Sequence, residues 1–564
     1  MKKIIVLTGV FVLGLALLSC NKEVLELNNT REVSDQAIWS TEMAAEMYIT
    51  ASYKGFTDLS ALVDSRSKYY DSYSDITKST TWELYNHPYN KTLLEGNIQT
   101  GGAGPFECWS DAYGRIRRAN VLLDDITRYG VDKFGEDWCN VRRAEARFCR
   151  AFSYYRLIRV YGGVVIRTET SGINGGVDDG ANEADIHRAR ATEADSWNFV
   201  ISELEWAAEH LPDAWPPEWE GRATKKAAYG MISRMALYAQ QWEKAATAAE
   251  KVKELGGDLA SDYAKVFQVD GGQDNSKELL FVLYFLKNTI THLYDKRQRP
   301  VGDEAVHGVD VYAEHVPTAE LADLYEFRDG TPFSWTTYAG LGHADPYTDR
   351  EPRFHATILY NGARWEERTI QTYVGGTDGF IAFTKSGGTD AHTCTGYYMR
   401  KYLQENYTDF STLDSYQYDI VLRYAEVLLN KAEAYAEWDY GVYRTQALAA
   451  LNEVRARVNL PPKTAADAPN KDAFMTLLRK ERCVELAGEG FRYWDLRRWK
   501  QAVNVINGKM AHGVRITNNA GVLTYETVNC DASTPRIFQE RFYYYSLPAS
   551  ETVNNTLCEN NPYW

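Results

Sequence analysis

The sequence predicts a mainly α protein: tetratricopeptide-like helix hairpins interrupted by long loop and short-strand excursions. Three observations predict it. Arg222–Gly257 and Arg423–Asn459 each read as helix, tight turn, helix, with small residues at helical spacing on the second helix: Ala245 and Ala249, then Ala447 and Ala450. Small residues let neighbouring helices approach closely, which is how such hairpins stack. VRRAEARFCRAFSYYRLIRVYGG repeats Ala144, Phe148, Ala151 and Tyr155 at spacings of four, three and four, which makes one apolar helix face. Between the helical stretches, Leu59 to Phe106 and Gly256 to about Asp419 are rich in Gly, Asp, Thr and aromatics and lack a sustained period.

Taken in order, MKKIIVLTGVFVLGLALLSC opens with Lys2 and Lys3 and continues in an apolar run from Ile4 to Leu18. That is an export signal, too short to span a bilayer comfortably. Its end, Leu17-Leu18-Ser19-Cys20, resembles a bacterial lipobox, which predicts residues 1–19 as signal peptide and Cys20 as the acylated first residue of the mature chain. Stable attachment takes more than one acyl chain. Asn21 follows the cysteine, not the aspartate that retains lipoproteins in the inner membrane, so the outer membrane is expected. Residues 20–32 read as acylated cysteine and tether, and 33–564 as the folded part, with helical scaffold at about 110–255 and 420–510 and loop-rich excursions at about 59–106 and 256–419. Trp109, Tyr113, Ile116 and Asn120 form a helical stripe, which marks Trp109 as core. The helix through Tyr155 should stop at Gly162-Gly163. Ala191–Pro212 is a further helix of the same type. Val269–Glu278 looks faintly like a calcium loop, but its twelfth position, counted from Asp270, is Phe281 and not glutamate, so it reads as a turn.

Composition narrows the function. A net charge of −15 argues against nucleic acid, which wants clustered Lys and Arg. The 39 tyrosines and 15 tryptophans suit surfaces that bind amphipathic ligands, although packing also consumes aromatics. Beyond Cys20 there are seven cysteines with no CxxC pair, neither a disulfide framework nor a zinc site. Cys530 and Cys558 are the pair able to bridge in an oxidising compartment; buried thiols are the expected state. HExxH, GxSxG, GxxxxGK[ST] and GxGxxG are all missing, and the ten histidines lack metal spacing. Neither cofactor, metal nor catalytic residue is expected, although a pair of glycosidase carboxylates needs only spatial proximity.

ERCVELAGEGFRYWDLRRW, from Glu481 to Trp499, crowds acids and arginines among aromatics. Glu481, Glu485 and Glu489 at i, i+4 and i+8 would share a helix face, with Arg482, Arg492, Arg497 and Arg498 available to neutralise them. Acids so enclosed stay ionised, which suits struts better than general acids.

With this segment, the lipobox, RRAEARFCRAFSYYRLIRVYGGVV, GRATKKAAYGMISRMALYAQQWEKAATAAEKV, DREPRFHATIL, RYAEVLLNKAEAYAE and the C-terminal YYYSLPASETVNNTLCENNPYW, the mature chain resembles the SusD/RagB family of outer-membrane nutrient-binding lipoproteins from end to end. The resemblance implies a single α-rich domain with four tetratricopeptide-like helix pairs. It implies a place on the cell surface, as lid of a TonB-dependent SusC-like transporter, passing in oligosaccharides or, in some members, peptides. Lys22-Glu23 is similar to a short surface-export signal. Glu481–Trp499 becomes a scaffold signature. Family ligand sites draw aromatics from the early and middle excursions, and an aromatic ring matches the apolar face of a sugar while polar groups satisfy its hydroxyls. The early candidates are Tyr69, Tyr70, Tyr73, Trp82 and Tyr85, with Asp71, Asp75 and Asn86 beside them. The middle candidates are Trp335, Tyr338, Trp365 and Tyr373, with Arg364 and His392; Trp82 and Trp335 lead the set. The competing readings are a peptide-binding lid, a helical-repeat scaffold without a small ligand, and a surface glycoside hydrolase.

Overall fold

The computed structural model describes residues 35–57, 69–81, 88–170, 187–271, 273–384, 391–405, 407 and 415–564. The signal peptide, Cys20, Trp82, Tyr85 and Asn86 lie outside the described residues. The chain divides after Tyr48 into two units. In the first, Trp39 meets Tyr48 edge-on, with ring centroids 6.2 Å apart. The second, Ile49–Trp564, holds the features that follow.

Its scaffold is a series of helices, each packed on the next in the chain: α1 (Trp109–Asp125), α2 (Glu136–Tyr161), α3 (Glu193–His210), α4 (Lys225–Tyr238), α5 (Trp242–Glu254), α6 (Tyr424–Arg457) and α7 (Lys471–Glu485). Thr192, Thr224 and Asn470 cap α3, α4 and α7, each side chain accepting a backbone N–H of the first turn. Helix α2 ends where expected, at Gly162 with φ +74°. Its neighbour Gly163 has no room for a side chain: a Cβ there would lie 2.1 Å from the Ala191 carbonyl oxygen. Both predicted hairpins form. Gln240 (φ +56°) turns the chain between α4 and α5, and Asp439 (φ −162°, ψ 97°) breaks α6 into two arms. Ala245, Ala249, Ala447 and Ala450 are all buried. Trp109 is core, as its stripe requires.

The excursions contribute short elements. Strand β1 (Thr77–Ser79) pairs antiparallel with β3 (His315–Pro317), and β2 (Leu279–Leu283) with β4 (Asp419–Arg423). Strands β5 (His512–Asn519) and β6 (Val522–Asn529) form a hairpin. Its two-residue turn, Ala520-Gly521, takes positive φ at both positions, the conformation that matches strand twist. All seven described cysteines are buried and unpaired, Cys530 and Cys558 included. No helix among the described residues is long and apolar enough to cross a membrane.

The Glu481–Trp499 segment departs from expectation in two respects. Helix α7 stops at Glu485, Gly488 and Gly490 turn the chain with φ of +78° and +77°, and α8 (Arg492–Arg498) follows. Glu489 is therefore off the helix. The acids are paired, but by basic residues from outside the segment. Glu485 meets Arg423 (2.7 Å), Arg353 (3.1 Å) and Arg457. Glu481 meets Arg353 (2.6 Å) and Arg455 (2.8 Å), and Glu489 meets Lys401 (2.6 Å) and Arg423 (2.7 Å). Burial favours the neutral form of Glu485, but Arg457, Arg423 and Arg353 outweigh it and hold the carboxyl far below the ordinary range. The segment's own arginines go elsewhere: Arg482 to Asp495 (2.7 Å), Arg492 to Asp75 (2.8 Å) and Arg498 to Glu433 (2.8 Å). These are struts that join α6, α7 and both excursions.

Candidate ligand-binding face

Among the described residues of the early excursion, those from Tyr69 to Thr80 are buried apart from the partly exposed Asp75. Tyr69 is buried with its ring stacked on His315 at 4.4 Å. Tyr70 and Tyr73 are buried against Phe106, at 5.9 and 5.3 Å. Asp71 is 1% exposed and accepts the backbone N–H groups of Gly488 (2.9 Å), Gly490 (3.2 Å) and Arg492 (3.2 Å). Burial raises its pKa to about 6 against the pull of those donors. Trp365 is 0% exposed, its indole N–H donated to Asp303 (3.1 Å). These five were expected at the ligand; each is instead enclosed by the core and holds elements together. Arg364 is exposed and pairs with Glu367 (3.0 Å) on a two-residue hairpin of its own.

Trp335, Tyr338, Tyr373 and His392 stay partly exposed. Trp335 stands edge-on to Phe333 (5.2 Å) and Tyr338 (6.2 Å), and tilted against Tyr525 of β6 (5.6 Å). Its indole N–H is donated to Asp323 (3.2 Å). Asp323 is pushed up to about 6 by burial, opposed by Arg350 and by the Trp335 bond. The floor is aromatic as well: Tyr347 lies 6.3 Å from Trp335 and stacks on Phe354. The β5–β6 hairpin supports one side, with Ile516 buried opposite Tyr525, and Val374 donates its N–H to the Ile516 carbonyl (2.9 Å). That bond ties the Tyr373 loop to the patch.

The two excursions meet beside it. Beyond β1, Thr81 accepts the Thr384 N–H (3.3 Å), and the Lys78 ammonium sits 3.6 Å from the centre of the Phe383 ring. Ile381, 39% exposed, hydrogen-bonds through its N–H to Thr393, and His392 meets the Gly379 carbonyl (2.9 Å). Thr81 is the residue next to Trp82. Tyr525 was missed by sequence reasoning. The signal was there, in alternating residues on either side of the Ala520-Gly521 turn.

Asp303, His307 and Glu366 bring three ligand atoms within 4.8 Å of one another. Their charge is already met. Arg299 reaches Asp303 (3.0 Å) and Glu366 (2.9 Å), and Arg368 reaches Asp303 (2.6 Å). The group is an ion-pair cluster. Within Val269–Glu278, Gln273–Lys277 form a 3-10 helix, and Asp270 pairs with Lys265 (3.2 Å).

The SusD family profile matches residues 277–564, and a second profile, described as starch-binding associating with outer membrane, matches residues 23–237. The chain belongs to the SusD family. This SusD-family chain is 25% identical over 473 residues to SusD-like protein P2 of Formosa agariphila, covering 80% of this chain and 79% of that one. A SusD-like protein of Bacteroides fragilis superposes with a TM-score of 0.77 at 24% identity, covering 94% of this chain and 99% of the other. A SusD-like carbohydrate binding protein of the same species gives a TM-score of 0.75 at 25% identity, covering 92% and 99%. The α-rich fold is that of the SusD family.

Proposed function

We propose that this protein captures oligosaccharides and hands them, unaltered, to a SusC-like TonB-dependent transporter, acting as its lid while anchored through acylated Cys20 to the outer membrane, facing the cell surface. The observation that carries the reading is the partly exposed Trp335–Tyr338–Tyr525 cluster, held by Asp323 beneath and the β5–β6 hairpin beside it. Rings fixed in this way offer an apolar platform to a sugar at little entropic cost. Tyr373 and His392 would extend the platform, and Trp82 is a further proposed contact. A structural relative carries a carbohydrate-binding name, and one matching family is described as associating with the outer membrane. Both support the reading.

Calorimetry against a panel of oligosaccharides tests it. Trp335→Ala combined with Tyr525→Ala is expected to weaken the best ligand by at least about tenfold, ~1.4 kcal/mol, with the ligand recovered chemically intact. Unchanged affinity in a folded variant would move the site elsewhere, and released product would favour the hydrolase.

A further inference from the structure

Two neighbouring cavities, of about 100 Å³ and about 430 Å³, are both lined by Arg159, Tyr238 and Trp494. The larger is also lined by Arg497, Arg498 and Lys500. Cations gathered away from water are costly unless acids answer them. Arg498 is answered, by Glu433 (2.8 Å) and Asp495 (2.8 Å). Among the described residues, Arg159, Arg497 and Lys500 make no ion pair. Arg497 spends its terminal nitrogens on the carbonyls of Arg159 (3.0 Å) and Tyr543 (2.6 Å). Arg159 lies over the rings of Trp494 (4.0 Å) and Tyr155 (5.0 Å). Lys500 holds its ammonium over Tyr543 (4.4 Å) and Tyr544 (4.6 Å).

Three donors here are buried without an acceptor: Arg159 Nε, Arg497 Nε and the indole Nε1 of Trp494. Trp494 is 3% exposed and Arg497 4%. Orphaned donors of this kind carry the full cost of desolvation, and three in one cleft call for an acceptor that brings negative charge. Asp419 and Glu489 line the smaller cavity, Glu489 being paired with Lys401 and Arg423; the larger is lined by one carboxylate, Glu193, which already accepts from Tyr544 Oη (2.7 Å) and Trp197 Nε1 (3.4 Å). Three cations without an ion pair against the single acid Glu193 leave the larger cavity positive.

We propose that this cleft binds an anionic group, a carboxylate, sulfate or phosphate on a small ligand, held by Arg159, Arg497, Lys500 and the Trp494 indole N–H. The tyrosine walls give the larger cavity apolar surface for a sugar ring that carries the charge. The site uses none of the residues of the Trp335 cluster, so either stands if the other fails.

Calorimetry and thermal unfolding in low salt test it, with galacturonate, glucuronate, inorganic sulfate and inorganic phosphate as probes and galactose and glucose as neutral controls. The anions are expected to bind and to raise the unfolding midpoint, and the neutral sugars to do neither. Added salt should weaken the effect by screening. Lys500→Gln, at an exposed position, is expected to weaken anion binding about tenfold while circular dichroism stays unchanged; Arg497→Gln should weaken it further. A uronate binding more tightly than sulfate or phosphate assigns the cleft to acidic sugars, and the reverse order assigns it to free oxyanions; both support the site. Failure of every anion to bind, equal binding of galactose, or unchanged anion affinity in Lys500→Gln would overturn it.

Discussion

Glu485 has no exposed surface and three guanidiniums around it. Breaking a buried pair by removing one partner costs about 3–5 kcal/mol, because the remaining charges are left uncompensated. Glu485→Gln is therefore expected to lower unfolding free energy on that scale in denaturant titrations; an unaffected stability would contradict the strut role. Its pH signature has a definite sign. The folded pKa lies below the unfolded one, so its contribution is present above the ordinary glutamate value of about 4.3 and is lost as pH falls below it. The variant should flatten the acid limb of the stability profile. Asp323 runs the other way, raised to about 6 by burial. Its stabilising contribution is present below about pH 4 and is lost as pH rises through about 6. Because Asp323 accepts the Trp335 N–H, tryptophan emission should titrate with a midpoint near 6. Asp323→Asn should abolish that step; a step that survives the substitution would assign it to another group.

At the scale of elements, small residues set the helix spacing. Ala447 is fully buried where α6 folds back on itself, and Ala447→Leu is expected to cost about 1–3 kcal/mol by overpacking, read as a lower unfolding midpoint. Such helix faces were legible because four-three-four spacing reports directly on a buried stripe, as at Ala144 to Tyr155, and because Gly162 marks a stop. The end of α7 was less so: the i, i+4, i+8 acids imply a longer helix, and Gly488 and Gly490 end it. The partners of those acids, Arg353, Arg423 and Arg457, lie tens to more than a hundred residues away, beyond any local pattern. Loop texture also misleads on burial. The Asp- and Tyr-rich stretch around Tyr70 looks like surface chemistry, yet tertiary packing against Phe106 and Trp494 encloses it.

Across the whole Ile49–Trp564 unit, the scaffold and the excursions are locked to each other at a few charged joints. Asp71 caps the chain between α7 and α8, Asp75 pairs with Arg492, and Lys78 pairs with Asp531 (2.7 Å) at the end of the β5–β6 hairpin. Stiff helices thereby fix loops that leave Trp335, Tyr338 and Tyr525 partly exposed, the arrangement that the proposed capture of oligosaccharides requires. The most direct measurement is hydrogen–deuterium exchange of the full chain with and without the tightest oligosaccharide from the calorimetric panel. The account predicts new protection at residues 331–348, 370–384 and 512–529, with α3 to α5 unchanged. Protection confined to α3–α5, with none at Trp335 or Tyr525, would contradict it.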